Sequence, residues 1–403
     1  MGKKMKEFIL DQIFEKPISG EWGNEATGEQ QGVKVIRTTN FTNKGILNLT
    51  DVICRDIDIE KYENKILKNG DIIIEKSGGS PNQPVGRTVL FQEANGVYLC
   101  NNFTSILRPK GGFNSKYLLY MLMNLYQQRK VLRYQNKTTG IINLKLNDYL
   151  SSTRVVIPTI GEQDKIASIL DKAQELINKR KEQIESFDEL IKGLFYDLFG
   201  NVLNDNEYKK VKLKDTAIIS SSKRIYANEY VERGIPFYRS KEIRELGENL
   251  RPSVELFISV EKYDSVKNKY GVPKKGDILI AAIGATIGYT WLVNTDEPFY
   301  YKDGNLLQVS INNSMDSIYL NYLLKILIND FKQKGASGTA QLALTIEKVE
   351  QMEVLCPPLE LQNKFAEQVQ KIEQQKQLMQ QSLTELENNF NSLMQRAFKG
   401  ELF

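Results

Sequence analysis

The sequence predicts two tandem copies of one α/β (α+β) domain, separated by two long antiparallel coiled-coil helices. Three observations carry this. Short β-rich segments recur in the same order in both halves, each half closes on a long charged segment with alternating three- and four-residue apolar steps, and those two segments lie 199 residues apart. Repetition on that scale means one structural plan used twice. The expected divisions are a globular domain at 1–158, a long helix at 159–200, a second globular domain at 201–357 and a second long helix at 358–403.

In chain order, Val33 to Ile36 reads as a short strand and feeds Arg37-Thr38-Thr39; Tyr238-Arg239-Ser240-Lys241 answers it in the second half. Gly70-Asp71 then turns into the buried strand Ile72 to Glu75, answered by Gly276-Asp277 and the strand Ile278 to Ala282. One amphipathic helix follows in each half, near Ser115 to Tyr134 and Ile318 to Lys334. Pro158 and Pro357 stand ahead of the long segments, where proline marks a helix start.

The long segments have the spacing of a coiled-coil seam rather than the broader stripe of a globular helix. In the first, Ile166, Leu170, Ile177, Ile184, Phe187 and Ile191 lie on the seam, with Arg180 as a polar interruption. In the second, Phe365, Val369, Ile372, Leu383, Leu386 and Phe390 do so, with Lys376 interrupting. About 35 residues at 1.5 Å rise make each helix roughly 50 Å long, a spacer of about one and a half turns of DNA.

Composition narrows the function classes. The chain has 403 residues and no histidine, which removes Ser-His and Cys-His catalysis and histidine-ligated metal chemistry. Cys54, Cys100 and Cys356 are odd in number and widely spaced, as expected of reduced structural thiols in a cytoplasmic protein, and no segment reads as a membrane span. No metal site is expected on the chain.

Charge is uneven. The segment 1–158 has 22 basic and 15 acidic residues, whereas 201–358 has 21 and 20. Arg108 to Lys145 holds eight basic residues and no acidic one, interleaved with tyrosines, as a phosphate-facing surface would. Three loops combine glycine and small polar residues with lysine or arginine in both halves, so glycine backbone can approach phosphate while Arg, Asn or Gln pairs with base edges. Their candidate DNA-contacting residues are Arg37, Thr38, Asn40, Lys76, Ser77, Arg87, Lys137, Thr138 and Thr139 in the first half. In the second half they are Arg239, Ser240, Lys241, Thr286, Ser337, Thr339 and Gln341.

Catalytic motifs fail. The stretch Gly78 to Thr88 has Pro81 and Arg87 where a phosphate loop needs glycine and lysine. Cys356-Pro357-Pro358-Leu359 lacks the amide-pairing and aromatic residues of an adenine methyltransferase, and Glu63-Asn64-Lys65 is too common a triplet to argue for a nuclease.

The helix starts Pro158-Thr159-Ile160-Gly161-Glu162-Gln163 and Pro357-Pro358-Leu359-Glu360-Leu361-Gln362 resemble those of the specificity subunits of type I restriction-modification enzymes. So do the helix ends Leu194 to Asn201 and Leu393 to Leu402, and the resemblance covers essentially the whole chain. Thr159 and Leu361 depart from that pattern, which bears on capping. The resemblance implies target-recognition domains on double-stranded DNA, each reading half of a bipartite asymmetric site, with the helices setting the gap. It implies two methyltransferase subunits carrying S-adenosylmethionine, joined by restriction subunits using ATP and Mg, and a specificity chain with no cofactor and no catalysis of its own. Two alternatives are a specificity chain of a type II or phage-defence methyltransferase and a coiled-coil protein scaffold.

Overall fold

Each globular domain is tied shut by an antiparallel pair between its first and last strands. Lys6–Ile9 pairs with Arg154–Ile157, and Lys210–Lys212 pairs with Glu353–Leu355. The computed structural model describes residues 5–26, 32–93, 95–138, 141–204, 208–312, 314–335 and 342–402. Thr139, Ser337, Thr339 and Gln341, expected at recognition loops, lie outside them.

Between the closing strands the domains use the same two four-stranded sheets. The first domain orders one sheet Ile18–Ser19, Thr104–Leu107, Ile72–Glu75, Thr88–Leu90; the second orders its counterpart Ala217–Ser220, Leu306–Ile311, Ile278–Ala281, Thr290–Leu292. The other sheet runs Asn24–Glu25, Ile53–Asp56, Val33–Ile36, Tyr98–Cys100, answered by Tyr230–Val231, Phe257–Ile258, Ile235–Tyr238, Tyr300–Tyr301. In both copies the last pair is the parallel one. The central strands Ile72–Glu75 and Ile278–Ala281 are buried on both faces, which accounts for their unbroken apolar runs.

The predicted amphipathic helices are Ser115–Gln127 and Ser317–Gly335. The first stops seven residues short of the sequence reading because Arg129 adopts φ 57°, a left-handed conformation that no α-helix continues through. The chain then makes a 3-10 turn, Lys130–Tyr134, and buries Val131 and Tyr134.

Two continuous helices, Ile160–Phe199 and Leu359–Lys399, follow the domains. Thr159 starts the first: its N–H and hydroxyl both donate to the Glu162 carboxylate, at 3.1 and 3.0 Å, which gives that N–H a partner. Leu361 is half-buried against the core of the second domain. No helix among the described residues is long and apolar enough to cross a membrane.

Compactness divides the chain across its helices rather than at their ends: one unit comprises 1–181 with 381–403, the other 182–380. Each unit therefore holds a globular domain, the start of the helix that follows it and the end of the other helix. In the first unit Ile166, Leu170, Ile177, Leu383 and Phe390 are buried and Leu386 is half-buried. In the second unit Ile191, Phe365 and Val369 are buried, while Ile184, Phe187 and Ile372 are half-buried. Lys181 meets Glu387 in the first unit and Lys376 meets Asp188 in the second, so the two helices run antiparallel. The polar seam residue Lys376 thus has a carboxylate from the opposite helix.

Beyond the seam, each unit fixes its domain to the helices through aromatic and carboxylate contacts. Tyr120 donates to Asp171 at 2.9 Å and its ring meets Phe390, while Tyr117 meets Phe398. In the second unit Tyr322 donates to Glu373 at 3.2 Å and Tyr319 packs on Phe195 and Phe199. Burial pushes both hydrogen-bonding tyrosines well above their ordinary range, so each keeps its proton for the carboxylate.

Candidate nucleic-acid interface

The fold brings the first-half loops together. Gly70, at φ 93°, makes the turn before strand Ile72–Glu75, and Asp71 closes it by accepting from the Lys68 N–H and both arms of Arg108. The strand ends on Glu75, 3% exposed, whose carboxylate accepts the Arg87 fork at 2.8 and 3.0 Å. Arg87 also donates to the Thr38 carbonyl at 3.3 Å, tying the glycine-rich loop to the Arg37 turn. A buried carboxylate that has lost its solvent needs such a fork, and the same bonds hold the guanidinium above its usual range.

Past Glu75 the chain forms a further strand, Ser77–Gly79, in a three-stranded sheet with Ile141–Leu144 and Gln135–Thr138. Ser77, Lys137 and Thr138 therefore lie on strands, where sequence alone suggested loops; pairing with the neighbouring strand overrides the glycine content. Ser77 donates to Asn143, and Gln135 donates to the Val85 carbonyl at 2.9 Å. Lys76 is half-buried, donates to Ser19 and is held below the usual lysine range by burial. The exposed tip of the first loop is Ser80 to Gln83.

The Arg37 turn packs beside this sheet. Asn40 is buried: its side chain accepts the Arg37 N–H and donates to the Asn48 and Asp51 carbonyls at 3.0 and 2.9 Å. All of those bonds hold the turn. Thr38 is half-buried, and Arg37 donates to the Asp51 carboxylate at 2.9 Å.

The second unit repeats the plan with other residues. Arg239 is the N-cap of helix Ser240–Gly247; its N–H donates to Glu242 at 2.8 Å, and its guanidinium spans Glu242 and Glu255 at 2.8 and 2.9 Å. Lys241 is exposed and donates to Glu255 at 3.0 Å, and Ser240 is half-buried. The first-loop equivalent contains the 3-10 turn Gly284–Thr286, with Thr286 donating weakly to Ile283 at 3.4 Å. Arg244 from the Arg239 helix lies 5.6 Å over the Tyr289 ring, so the Arg239 segment again adjoins the first-loop equivalent, and Ile283 bridges Ala343.

Both patches are thus surfaces of small polar groups on a rigid frame, with their arginines engaged by carboxylates. Sequence reasoning found where the segments lie and missed the partners: Glu75, Asp51, Glu242 and Glu255 carry no motif that marks them. Asn82 and Gln83 are exposed on the loop that Arg87 anchors. Among the described residues no group of three or more Cys, Asp or Glu is placed to hold a metal, and burial pushes the Cys100 thiol up to about 11.

A model of the type I restriction modification DNA specificity domain matches residues 2–186 and again 205–388. A putative type I restriction enzyme specificity subunit of Haemophilus influenzae is 27% identical over 323 residues, 78% of each chain. The type I restriction enzyme MjaVIII specificity subunit of Methanocaldococcus jannaschii is 26% identical over 309 residues, 70% of each. In fold, the chain resembles one from a solved type I R-M system at TM-score 0.60 and 16% identity, covering 99% of this chain and 98% of that one. It also resembles the S subunit of a type I restriction-modification system from M. genitalium at TM-score 0.55 and 17% identity, covering 98% and 96%.

Proposed function

Because the chain belongs to the type I restriction-modification DNA specificity family through both of its domains, we propose that each domain reads one half of a bipartite, asymmetric site in double-stranded DNA. The observation that carries this reading is the duplication itself: the Arg37 and Arg239 turns stand beside equivalent loops on the same two sheets, while the residues they present differ. Equivalent frames support equivalent docking on DNA, and different side chains imply different half-sites.

The helices then set the unspecified gap between half-sites and receive two methyltransferase subunits. Two copies of one partner require two copies of one surface, which a duplicated chain supplies. S-adenosylmethionine is bound by those subunits and supplies the methyl group; ATP and Mg belong to the restriction subunits that join them. This chain's own residues orient and select the duplex and perform no catalysis. In the first unit the exposed tip Ser80 to Gln83 and the hairpin bearing Lys137 and Thr138 face the duplex. In the second, Ser240 and the Gly284–Thr286 turn take that place.

The test is a methylome. The chain is expressed with its neighbouring methyltransferase in an unmethylated host, and modified adenines are mapped by long-read sequencing. An asymmetric two-part motif with a fixed gap, lost when this chain is omitted, supports the reading. A soluble complex that leaves no motif overturns it. Exchanging residues of the first domain is expected to alter one half of the motif only.

A further inference from the structure

Both units place an arginine where helix physics disfavours one. The N-cap position favours Ser, Thr, Asp or Asn, and a cation beside the N-terminal end of a helix meets the positive pole of its dipole. Yet Arg37 caps the turn Thr38–Asn40 and Arg239 caps the helix Ser240–Gly247, with closely similar backbone angles. Each unit compensates in the same two ways. A buried side chain three residues on, Asn40 or Glu242, accepts the arginine N–H at 2.8 Å. A solvent-facing carboxylate farther along, Asp51 or Glu255, accepts from a guanidinium nitrogen at 2.9 Å.

The two kinds of partner differ in what they are for. Asn40 and Glu242 build the turn, and Glu242 also accepts Arg239 Nε–H and one Nη2–H at 3.3 and 2.8 Å, which leaves the outer edge of the guanidinium to Glu255. The Asp51 and Glu255 side chains are 85% and 58% exposed, and an ion pair in that setting is weak because water competes with it. Asp51 is held independently of its pair, since Asn40 donates to its backbone carbonyl. In the second unit Lys241 and Arg239 together hold the Glu255 carboxylate below its usual range, so it stays charged at neutral pH. Arg37 is not saturated: its Nε–H is buried without a partner among the described residues. The buried Glu242 gives Arg239 a local reason to be there, but an exposed, weakly held carboxylate opposing the arginine at the same place in two diverged copies is a pattern that neither turn requires.

We propose that Asp51 and Glu255 are carboxylate gates on Arg37 and Arg239: each occupies its arginine against the DNA backbone and yields to a guanine edge. A lone phosphate gains little by displacing a carboxylate already in place, whereas O6 and N7 of guanine accept both arms of the fork at once. The gates are positioning residues. They lower affinity for all DNA in order to raise the contrast between right and wrong sequence, and this rests on the DNA-reading function proposed above.

The experiment uses the full chain assembled with its methyltransferase subunits. Asp51→Asn and Glu255→Gln complexes are titrated with a random-sequence 40-bp duplex across a salt series, and their methylomes are mapped. Each variant is expected to bind the random duplex about three- to tenfold tighter near 0.1 M salt, with a steeper salt slope. Asp51→Asn should loosen one half of the motif and Glu255→Gln the other. Adding Arg37→Gln to Asp51→Asn should abolish the gain, which separates gating from a general change of surface charge. Unchanged random-duplex affinity and an unchanged motif, with melting profiles like the parent's, overturn the gates. If the parent complex itself leaves no motif, the DNA-reading function fails instead. A variant with a lowered melting temperature and weakened DNA binding also overturns the proposal, because the carboxylates would then be structural.

Discussion

The first unit ends its central strand on Glu75, a buried carboxylate clasped by Arg87, whereas the second ends the equivalent strand on Ala281, with no charge to satisfy. The helix attachments behave oppositely. Gln163 and Gln362 are both buried, and each accepts a backbone N–H from its own domain, of Asn114 at 3.0 Å and Asp316 at 2.9 Å. Each also donates to the proline carbonyl five residues earlier, Pro158 or Pro357, at 3.0 and 2.8 Å. Duplication has kept what fastens a domain to its helix and released what braces the loop after the central strand. The longer first loop needs an internal ion pair; the shorter second loop closes on backbone contacts.

The sharpest break in the symmetry is at the helix ends. Phe199 is 1% exposed among Phe195, Tyr319 and Phe365, while its counterpart Phe398 is half-buried against Tyr117. Phe199→Ala is expected to cost about 4 kcal/mol in denaturant unfolding and Phe398→Ala clearly less. Next, Arg87→Met should cost about 3 kcal/mol by stranding Glu75, and Glu75→Leu added to it should recover most of the loss. The second unit has no equivalent liability at Ala281.

The glutamines test the conserved side of the comparison. Gln163→Leu and Gln362→Leu each leave an N–H and a carbonyl without a partner, and should destabilise their own units by similar amounts, about 2 kcal/mol. Unequal losses would mean that one attachment has a second support. The smallest effects belong to the seam ion pairs. Asp188→Asn and Glu387→Gln are expected to shift unfolding by no more than about 1 kcal/mol, less in high salt, because water reaches both carboxylates.

The periodic parts of this fold were legible. The offset of 199 located both long helices, and their seam residues are buried or half-buried. What the seam missed are Met394 and the pair Phe195 and Phe199, all buried to 1% or less; the two phenylalanines meet Tyr319 of the domain as well as Phe365 of the opposite helix. A heptad pattern registers only the helix–helix direction. The recognition segments were legible by position, since Ile36-Arg37 and Tyr238-Arg239 do occupy equivalent turns. Their chemistry was not. Arg87 looked like a DNA contact and is engaged by Glu75, twelve residues away in sequence and adjacent across a strand end. Such pairings depend on register, which glycine-rich segments scarcely encode.

The discontinuity of the first unit has a consequence in time. The second unit is one stretch, 182–380, but the first needs residues 381–403 to complete it. On a ribosome adding 5–20 residues per second, roughly 10 to 40 s separate the synthesis of residue 181 from that of its last partners. During that interval the sides of Tyr117 and Tyr120 that later meet Phe398 and Phe390 stay uncovered. The domain made first is thus the one finished last, and the nascent chain passes its most adhesive moment with its amino-terminal half already outside the tunnel.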